Sequence, residues 1–279
     1  ITDIDSTFND ATVITRKNTY SAKYVFNSTN FFNPKINKQN SLLQHFKGWN
    51  IKTDKPVFNS KVGRLMDFSI SQENGATFMY VLPSSSTEAL VEYTLFSPTT
   101  LKQETYVREL KKYIKEVLKI KKYTIEHEEF GIIPMSLAKF EQNPKMNVIN
   151  IGTSGGYTKA STGYTFMNTR RNIERLIPFL KTGAGLNTFT IKNRFRFYDL
   201  LFLDVLNRYN ARGSKLFTRM FEKNPPVRIF RFLDEKTNFI EDDFTKVNLN
   251  KKFDLITAFR FFPNAEFFLR EKAMKFISE

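Results

Sequence analysis

A glycine-rich stretch near the middle of the chain constrains the fold more than any other feature of the sequence. Residues 151–166 read IGTSGGYTKASTGYTF and follow an apolar run at 148–151. Glycine lets a backbone turn tightly and approach a ligand closely, because it carries no Cβ. Amide groups at the start of a following helix favour negative charge. The stretch therefore predicts a strand, a turn and a helix arranged around a bulky anionic cofactor such as a flavin dinucleotide.

Length and composition limit the classes of protein to which the chain can belong. Its 279 residues are enough for one large domain or two moderate ones. No apolar run reaches the roughly 18 residues of a spanning helix, and the polar opening ITDIDSTFND does not read as a signal peptide. The chain has no cysteine and only two histidines, so disulfides and thiolate metal sites are excluded and no metal is expected. This composition is compatible with a cytoplasmic protein.

The charge balance points to an anionic partner. There are 43 Lys and Arg residues against 28 Asp and Glu, a net charge of +15, together with 30 phenylalanines. A basic, oily face would suit anionic lipid headgroups, although the codon bias of an AT-rich genome explains the same composition. No nucleic-acid-binding motif accompanies the charge, so no nucleic acid is expected. Residues 259–269, FRFFPNAEFFL, would suit a membrane surface or an ordinary core equally well.

Hydrophobic periodicity predicts a strand-rich first part and a helical last part. Alternation and the turn Asn74-Gly75 indicate a hairpin near the N-terminus and a series of strands, whereas a 3.6-residue period indicates helices. The predicted strands are 44–52, 64–71, 77–83, 89–96, 122–130 and 147–151, and the predicted helices are 102–120, 166–180 and most of the chain from 188 onward.

Several further segments together carry a family resemblance. The first is FMYVLPSSSTEALVEYTLFS at 78–97, an apolar strand, a Pro-Ser turn and a second strand with one carboxylate. The others are QHFKGWNI (44–51), LMDF (65–68), GIIPM (131–135), FYDLLFLDVL (197–206) and IFRFLDE (229–235). In this order and spacing, and over nearly the whole length, the chain resembles the lycopene cyclase family of carotenoid-forming flavoproteins.

This resemblance implies an α+β fold, a partial FAD/NAD(P)-binding flavoprotein of the Rossmann-like, glutathione-reductase type. Residues 1–41 would belong to the FAD-binding domain, 42–145 to an inserted mixed β-sheet substrate domain, 146–183 to a returning FAD-binding segment and 184–279 to a helical C-terminal region. The GxGxxG fingerprint expected for the ADP half of FAD is missing. We therefore expect the N-terminal part of a longer protein to be absent, and this chain alone to bind FAD poorly.

The implied activity is lycopene β-cyclase, an intramolecular lyase of the isomerase class that closes rings at the ends of lycopene or a related linear carotenoid. The resemblance implies reduced FAD as cofactor, with NAD(P)H as a source of reducing equivalents, and peripheral association with an anionic membrane surface on the cytoplasmic side. Two alternatives stay open: an isoprenoid reductase or hydroxylase of the same superfamily, and a non-catalytic carotenoid- or membrane-binding remnant.

Two carboxylates are candidates for the chemistry. The resemblance places Glu92, in LVEYT, as the acid or base, with Tyr93 at the position where a second acid often stands. A carboxylate among apolar groups acquires the raised pKa that an acid catalyst requires; the alternative is a half-exposed strand glutamate paired with a lysine. Asp67 would orient Glu92 or the substrate, or satisfy neighbouring amides, which we favour. His127 stands among acidic neighbours and is expected to be solvated.

The remaining site residues follow from the resemblance to the family's flavin-contacting loop. Ala160 stands where a proline is common, which should leave this loop more flexible. Pro134 and Met135 are expected to shape the pocket near the flavin ring. The predicted cofactor-binding residues are Gly152, Gly155, Gly156, Thr162, Gly163 and Tyr164.

Overall fold

The computed structural model of the chain describes residues 1–237 except 33, 37–40, 192 and 194. The basic patch predicted at 259–269 therefore lies outside the described residues, as does the rest of the C-terminal region beyond 237. The chain divides into two compact units, of which the first comprises Ile1–Ser41 and Pro134–Leu203. The second comprises Leu42–Ile133 and the residues from Asp204 onward.

Ten strands and five helices span most of the described residues. The strands are β1 (Asp3–Ser6), β2 (Ala11–Ile14), β3 (Thr19–Ala22), β4 (Val25–Asn27), β5 (Leu42–Lys52), β6 (Arg64–Asp67), β7 (Ala76–Pro83), β8 (Glu88–Ser97), β9 (Thr124–Met135) and β10 (Val148–Asn150). The helices are α1 (Gln103–Glu116), α2 (Phe166–Lys181), α3 (Arg196–Tyr209), α4 (Gly213–Lys223) and α5 (Pro226–Leu233). This part of the chain is thus a mixed α/β protein with several sheets.

The first unit contains two small sheets. Strands β1, β2 and β3 form an antiparallel meander, and β4 pairs in parallel with β10. Residues of β10 are fully buried, and Ile149 packs with Leu176 of α2 and with Leu186. The same short strand thereby anchors both the parallel pair and the helix that follows the glycine-rich stretch.

The second unit is built on a five-stranded sheet of order β6-β7-β8-β5-β9. Alternation along β8 sends Val91, Tyr93 and Leu95 to the face that α1 covers, where Leu110 and Tyr113 of the helix join them in one core. Residues on the other face of β8, including Glu92, therefore point away from α1. The two faces of this sheet consequently have different chemistry.

Most predicted elements are confirmed, and the differences have local causes. The hairpin near the N-terminus is β2–β3, and the helix predicted at 166–180 is α2. Helix α1 ends at Glu116 rather than near 120, because Lys119 adopts a left-handed φ of 59° and the Ile120 amide donates back to the Ile114 carbonyl. Strand β9 is longer than predicted and includes the GIIPM segment.

Candidate functional site

Glu92 lies in the middle of β8, on the sheet face opposite α1. Its cross-strand partners are Gly48 of β5 and Tyr80 of β7. The residue is only 9% exposed. The predicted alternative, a half-exposed strand glutamate paired with a lysine, instead describes Glu88, whose side chain is 43% exposed and lies 2.8 Å from Lys52 Nζ.

Burial and two neighbours set the electrostatics of this carboxyl. Desolvation raises the pKa of Glu92 to about 7, and the nearby Glu129 carboxyl raises it too. The hydroxyl of Thr94 donates a hydrogen bond to Glu92 Oε1 at 2.5 Å and opposes that rise. The protonated carboxyl is therefore available near neutral pH, which suits a proton donor.

Glu129 is a site residue that the sequence analysis missed. A Cβ added to Gly48 would lie 2.8 Å from Glu129 Oε1. The absence of a side chain at this point of β5 thus gives Glu129, from the adjacent strand β9, room beside Glu92. The acidic run at 126–129 was interpreted as solvated because strand order is not visible in the sequence. The signal in the sequence for this contact is Gly48 itself, because a glycine inside a strand often marks the close approach of a neighbouring group.

Aromatic residues share the sheet face with these two carboxyls. The ring of Phe78 packs edge-on against Tyr80 and Phe96, with centroid distances of 5.3 and 5.4 Å. On the β9 side, the Phe46 ring occupies the space that a Cβ at Gly131 would need. Two carboxyls therefore lie on a sheet face that is otherwise largely apolar.

Asp67 lies on the other side of the sheet, toward α1. It accepts hydrogen bonds from the Tyr113 hydroxyl at 2.6 Å and from the Ser69 amide at 2.9 Å, and Arg64 lies 3.4 Å away. Its carboxylate is thus engaged by groups on the helix side, away from Glu92. These contacts support the predicted role in which Asp67 accepts hydrogen bonds from neighbouring donors. A catalytic role for Asp67 stays a prediction.

The glycine-rich loop, 151–165, lies in the first unit at the carboxyl ends of β4 and β10. Asn27 and Asn150 end these parallel strands, and their side-chain amides share a buried hydrogen bond of 2.7 Å. The hydroxyl of Ser154 donates to the Thr29 carbonyl. Ligands of open α/β sheets bind beyond the carboxyl ends of the strands. The loop therefore has the position that a cofactor-binding loop requires.

Two glycines of the loop are required by its backbone. Gly152 has a φ of 60°, and a Cβ there would meet nothing within 4 Å. A Cβ at Gly155 would overlap the Asn150 carbonyl. Gly152 thus faces open space, whereas Gly155 permits a tight turn over the end of β10.

A buried ion pair fixes the middle of the loop. Lys159 Nζ lies 2.7 Å from Asp199 Oδ1 of α3, with side-chain exposures of 0% and 4%. Ser161 donates to the same oxygen at 2.6 Å, and the Lys159 carbonyl accepts from the amides of Thr162 and Gly163. This pair was not predicted, because Lys159 and Asp199 are distant in sequence and hydrophobic periodicity does not show which segments come into contact.

The loop fits a bulky ligand. Tyr157 is 3% exposed, its hydroxyl has no hydrogen-bond partner among the described residues, and burial raises its pKa to about 12. This unsatisfied hydroxyl and the open space at Gly152 belong to the same loop. Thr162, Gly163 and Tyr164 lead directly into α2, whose first amides would face an anion. The predicted cofactor residues thus share one loop, while Glu92 and Asp67 belong to the other unit.

The comparison with known families identifies the family of the chain. The sequence matches the lycopene cyclase protein family over residues 4–251. The chain therefore belongs to the lycopene cyclase family. No curated protein matches the sequence.

Solved structures with a similar fold are remote. A geranylgeranyl bacteriochlorophyll reductase-like protein from Thermoplasma acidophilum is 12% identical, with a TM-score of 0.48 over 97% of this chain and 68% of its own. Tetracycline destructase Tet(51) is 10% identical, with a TM-score of 0.39 over 85% and 68%. Klebsiella pneumoniae HpxO complexed with FAD and uric acid is 10% identical, with a TM-score of 0.42 over 84% and 65%. The chain spans about two thirds of their length, and the assignment depends on the family match.

No helix within the described residues has the length and the apolar character needed to cross a membrane.

Proposed function

We propose that this protein is a lycopene β-cyclase, which closes β-rings at the ends of lycopene or a related linear carotenoid. The observation that carries the proposal is the buried Glu92 carboxyl, whose pKa is raised to about 7 on an apolar sheet face. Ring closure begins with the protonation of an end-group double bond, so it needs an acid that stays protonated near neutral pH. Membership of the lycopene cyclase family supports this reading.

The reaction is an isomerisation, in which one proton is added to the substrate and one is removed from it. Glu92 donates its proton to the terminal double bond, and a neighbouring double bond then attacks the resulting cation to close the ring. Loss of a proton from a ring carbon completes the product, with no net redox change. Tyr80, the cross-strand partner of Glu92, would lie close to the carbocation, and an aromatic ring there would attract the cation and help to exclude water.

For the cofactor we propose reduced FAD, held in a Rossmann-like flavoprotein fold. When bound, reduced flavin supplies an electron-rich ring that stabilises positive charge. Gly152 would leave space for its close approach, the Tyr157 hydroxyl would supply a hydrogen bond, and the amides after Thr162 at the start of α2 would favour its negative charge. NAD(P)H is the proposed reductant of the flavin.

The location that we propose is the cytoplasmic surface of a membrane, because linear carotenoids reside in the bilayer. A net charge of +15 favours anionic headgroups, with each surface Lys or Arg contributing about 1 kcal/mol.

The test is complementation in lycopene-accumulating cells with the natural gene that encodes this chain. Wild type and Glu88→Gln, an exposed glutamate of the same strand, should convert lycopene into β-carotene. Glu92→Gln should leave lycopene unconverted while retaining the flavin absorbance of the purified protein. Persistence of lycopene with a stable, flavin-loaded wild type would contradict the proposal. Consumption of NAD(P)H in proportion to product would instead indicate a reductase or hydroxylase.

A further inference from the structure

We infer that Glu129 is the second catalytic carboxyl of the site and shares one proton with Glu92 beside Gly48. This inference rests on the proposed cyclase function, in which Glu92 is the acid, and it assigns Glu129 as the base. Glu92 gives its proton to the terminal double bond, and Glu129 takes the proton that leaves the ring carbon. That proton returns to Glu92 through the hydrogen bond between the two carboxyls, so each turnover ends with the starting protonation state.

The geometry that supports this role comes from three adjacent strands. Glu92 of β8 is the direct cross-strand partner of Gly48 of β5. The side chain of Glu129, from β9 on the other side of β5, lies over Gly48, where an added Cβ would be 2.8 Å from its Oε1 and 3.0 Å from its Cγ. A larger residue at position 48 would therefore displace Glu129, and it would also meet Leu90, whose Cδ1 would lie 3.0 Å from the added Cβ.

A hydrogen bond between the two carboxyls would require one of them to be protonated. Two carboxylates in contact repel each other, so the pair binds a proton more tightly than an isolated group. Burial raises the pKa of Glu92 in the same direction, whereas Glu129 is only half-buried. The pair therefore presents an acid and a base at the same time.

One further ionisable group of this sheet face, Tyr80, lies directly opposite Glu92, and the others lie farther along their strands. By alternation, Glu88 of β8, Tyr80 of β7 and His127 of β9 share the face. Glu88 pairs with Lys52. His127 is exposed to solvent. Besides burial, the influences on the Glu92 pKa are the Glu129 carboxyl and the Thr94 hydroxyl.

Neighbouring positions offer a matched set of variants. Glu129→Gln removes the second carboxyl and keeps the volume of the side chain. Gly48→Ala pushes the flexible Glu129 side chain aside and changes no ionisable group. Glu126→Gln, an exposed glutamate of the same strand whose carboxylate accepts a hydrogen bond from Thr124, is the control.

Two readouts on the full, flavin-loaded protein separate catalysis from structure. The first is the pH titration of the protonated Glu92 carboxyl by infrared spectroscopy, identified by its loss in Glu92→Gln. The second is the rate of lycopene cyclisation as a function of pH. Glu129→Gln should lower the Glu92 midpoint by about one pH unit and slow cyclisation about 100-fold. Gly48→Ala should cause part of both changes, and Glu126→Gln neither.

The outcomes distinguish this inference from the proposed function. An unchanged Glu92 midpoint in Glu129→Gln would overturn the shared proton, and a lowered midpoint with full cyclisation would overturn the catalytic role of Glu129. Both results leave the cyclase activity of the wild type standing. If the wild type does not cyclise lycopene but Glu129→Gln still lowers the midpoint, the shared proton is supported and the proposed function fails.

Discussion

His45 and Glu92 lie on opposite faces of the same sheet, and burial shifts their pKa values in opposite directions. Desolvation lowers the pKa of His45 to about 4, whereas it raises that of Glu92 to about 7. The neutral imidazole is held by two hydrogen bonds, from the Tyr106 hydroxyl to Nδ1 at 2.6 Å and between Nε2 and Ser97 Oγ at 2.7 Å. The Ser97 hydroxyl donates its proton to the Thr99 carbonyl, so Ser97 Oγ must accept a hydrogen bond from His45 Nε2–H. With this tautomer, Tyr106, His45 and Ser97 all have their hydrogen bonds satisfied.

This relationship predicts how stability depends on pH. Between pH 4 and 6.5 the unfolded chain binds a proton at His45 that the native protein does not, so the free energy of unfolding falls as the pH is lowered. Between pH 4.5 and 7 the native protein binds the extra proton at Glu92, so the free energy of unfolding falls as the pH is raised. The two effects oppose each other where their windows overlap.

Replacement of Glu92 should expose the His45 contribution. Relative to wild type, Glu92→Gln should gain stability as the pH rises from 4.5 to 7, with a slope of at most about 1.4 kcal/mol per pH unit, and level off above 7. Chemical denaturation at a series of pH values would measure the difference. A difference that does not change with pH would contradict the raised pKa of Glu92.

Thr94→Val should shift the Glu92 pKa upward. The Thr94 hydroxyl stabilises the ionised carboxylate through its 2.5 Å hydrogen bond, and valine removes that bond at almost constant volume. The alkaline limb of the cyclisation rate, or the infrared midpoint of Glu92, should move to higher pH. Thr77→Val, a buried threonine of β7 that bonds the Gly75 carbonyl, is the control and should leave the midpoint in place.

Asp67→Asn should reduce stability and leave the cyclisation chemistry intact. Burial, together with the hydrogen bond to Asp67, raises the pKa of Tyr113 to about 12. Loss of the charged acceptor of this hydrogen bond costs about 1–3 kcal/mol. Tyr113→Phe removes the same bond, so the two changes combined should cost less than their sum. A large loss of kcat in Asp67→Asn without loss of stability would restore its predicted catalytic role.

Gly152→Ala and Gly183→Ala test whether the loop meets the flavin. Both glycines have a left-handed φ, 60° and 73°, and neither has an atom within 4 Å of an added Cβ, so each change should cost about 1 kcal/mol through the backbone alone. Only Gly152→Ala should weaken flavin binding, measured by quenching of flavin fluorescence. Equal flavin affinities for the two variants would remove Gly152 from the binding site.

Asp199→Asn should destabilise the protein by about 3–5 kcal/mol, because it removes the carboxylate that lies 2.7 Å from the buried Lys159 ammonium. The double replacement Lys159→Met and Asp199→Leu should recover most of that loss. Glu174→Gln, which breaks the exposed pair with Arg170, should produce no measurable change in the denaturation midpoint. A small effect of Asp199→Asn would mean that water reaches the pair.

The elements that the sequence predicted are those determined by local pattern. Alternation gave the strands around Glu92 and the face on which it lies, and helical periodicity gave α2 after the glycine-rich loop. Glu129 and the Lys159–Asp199 pair were missed, because both depend on which segments become neighbours. A period-two pattern shows that β5 and β9 are strands but not that they are adjacent, and that adjacency is what brings the second carboxyl to Glu92.

The parallel pairing of β4 with β10 has a consequence for how the protein folds. Asn27 and Asn150 are separated by 123 residues, so their hydrogen bond closes a long loop of chain. Antiparallel neighbours such as β7 and β8 are joined by a short turn and bear a much smaller entropic cost. We therefore expect the sheet that carries Glu92 to form early, and the glycine-rich loop to become ordered only when both ends of this long segment have met.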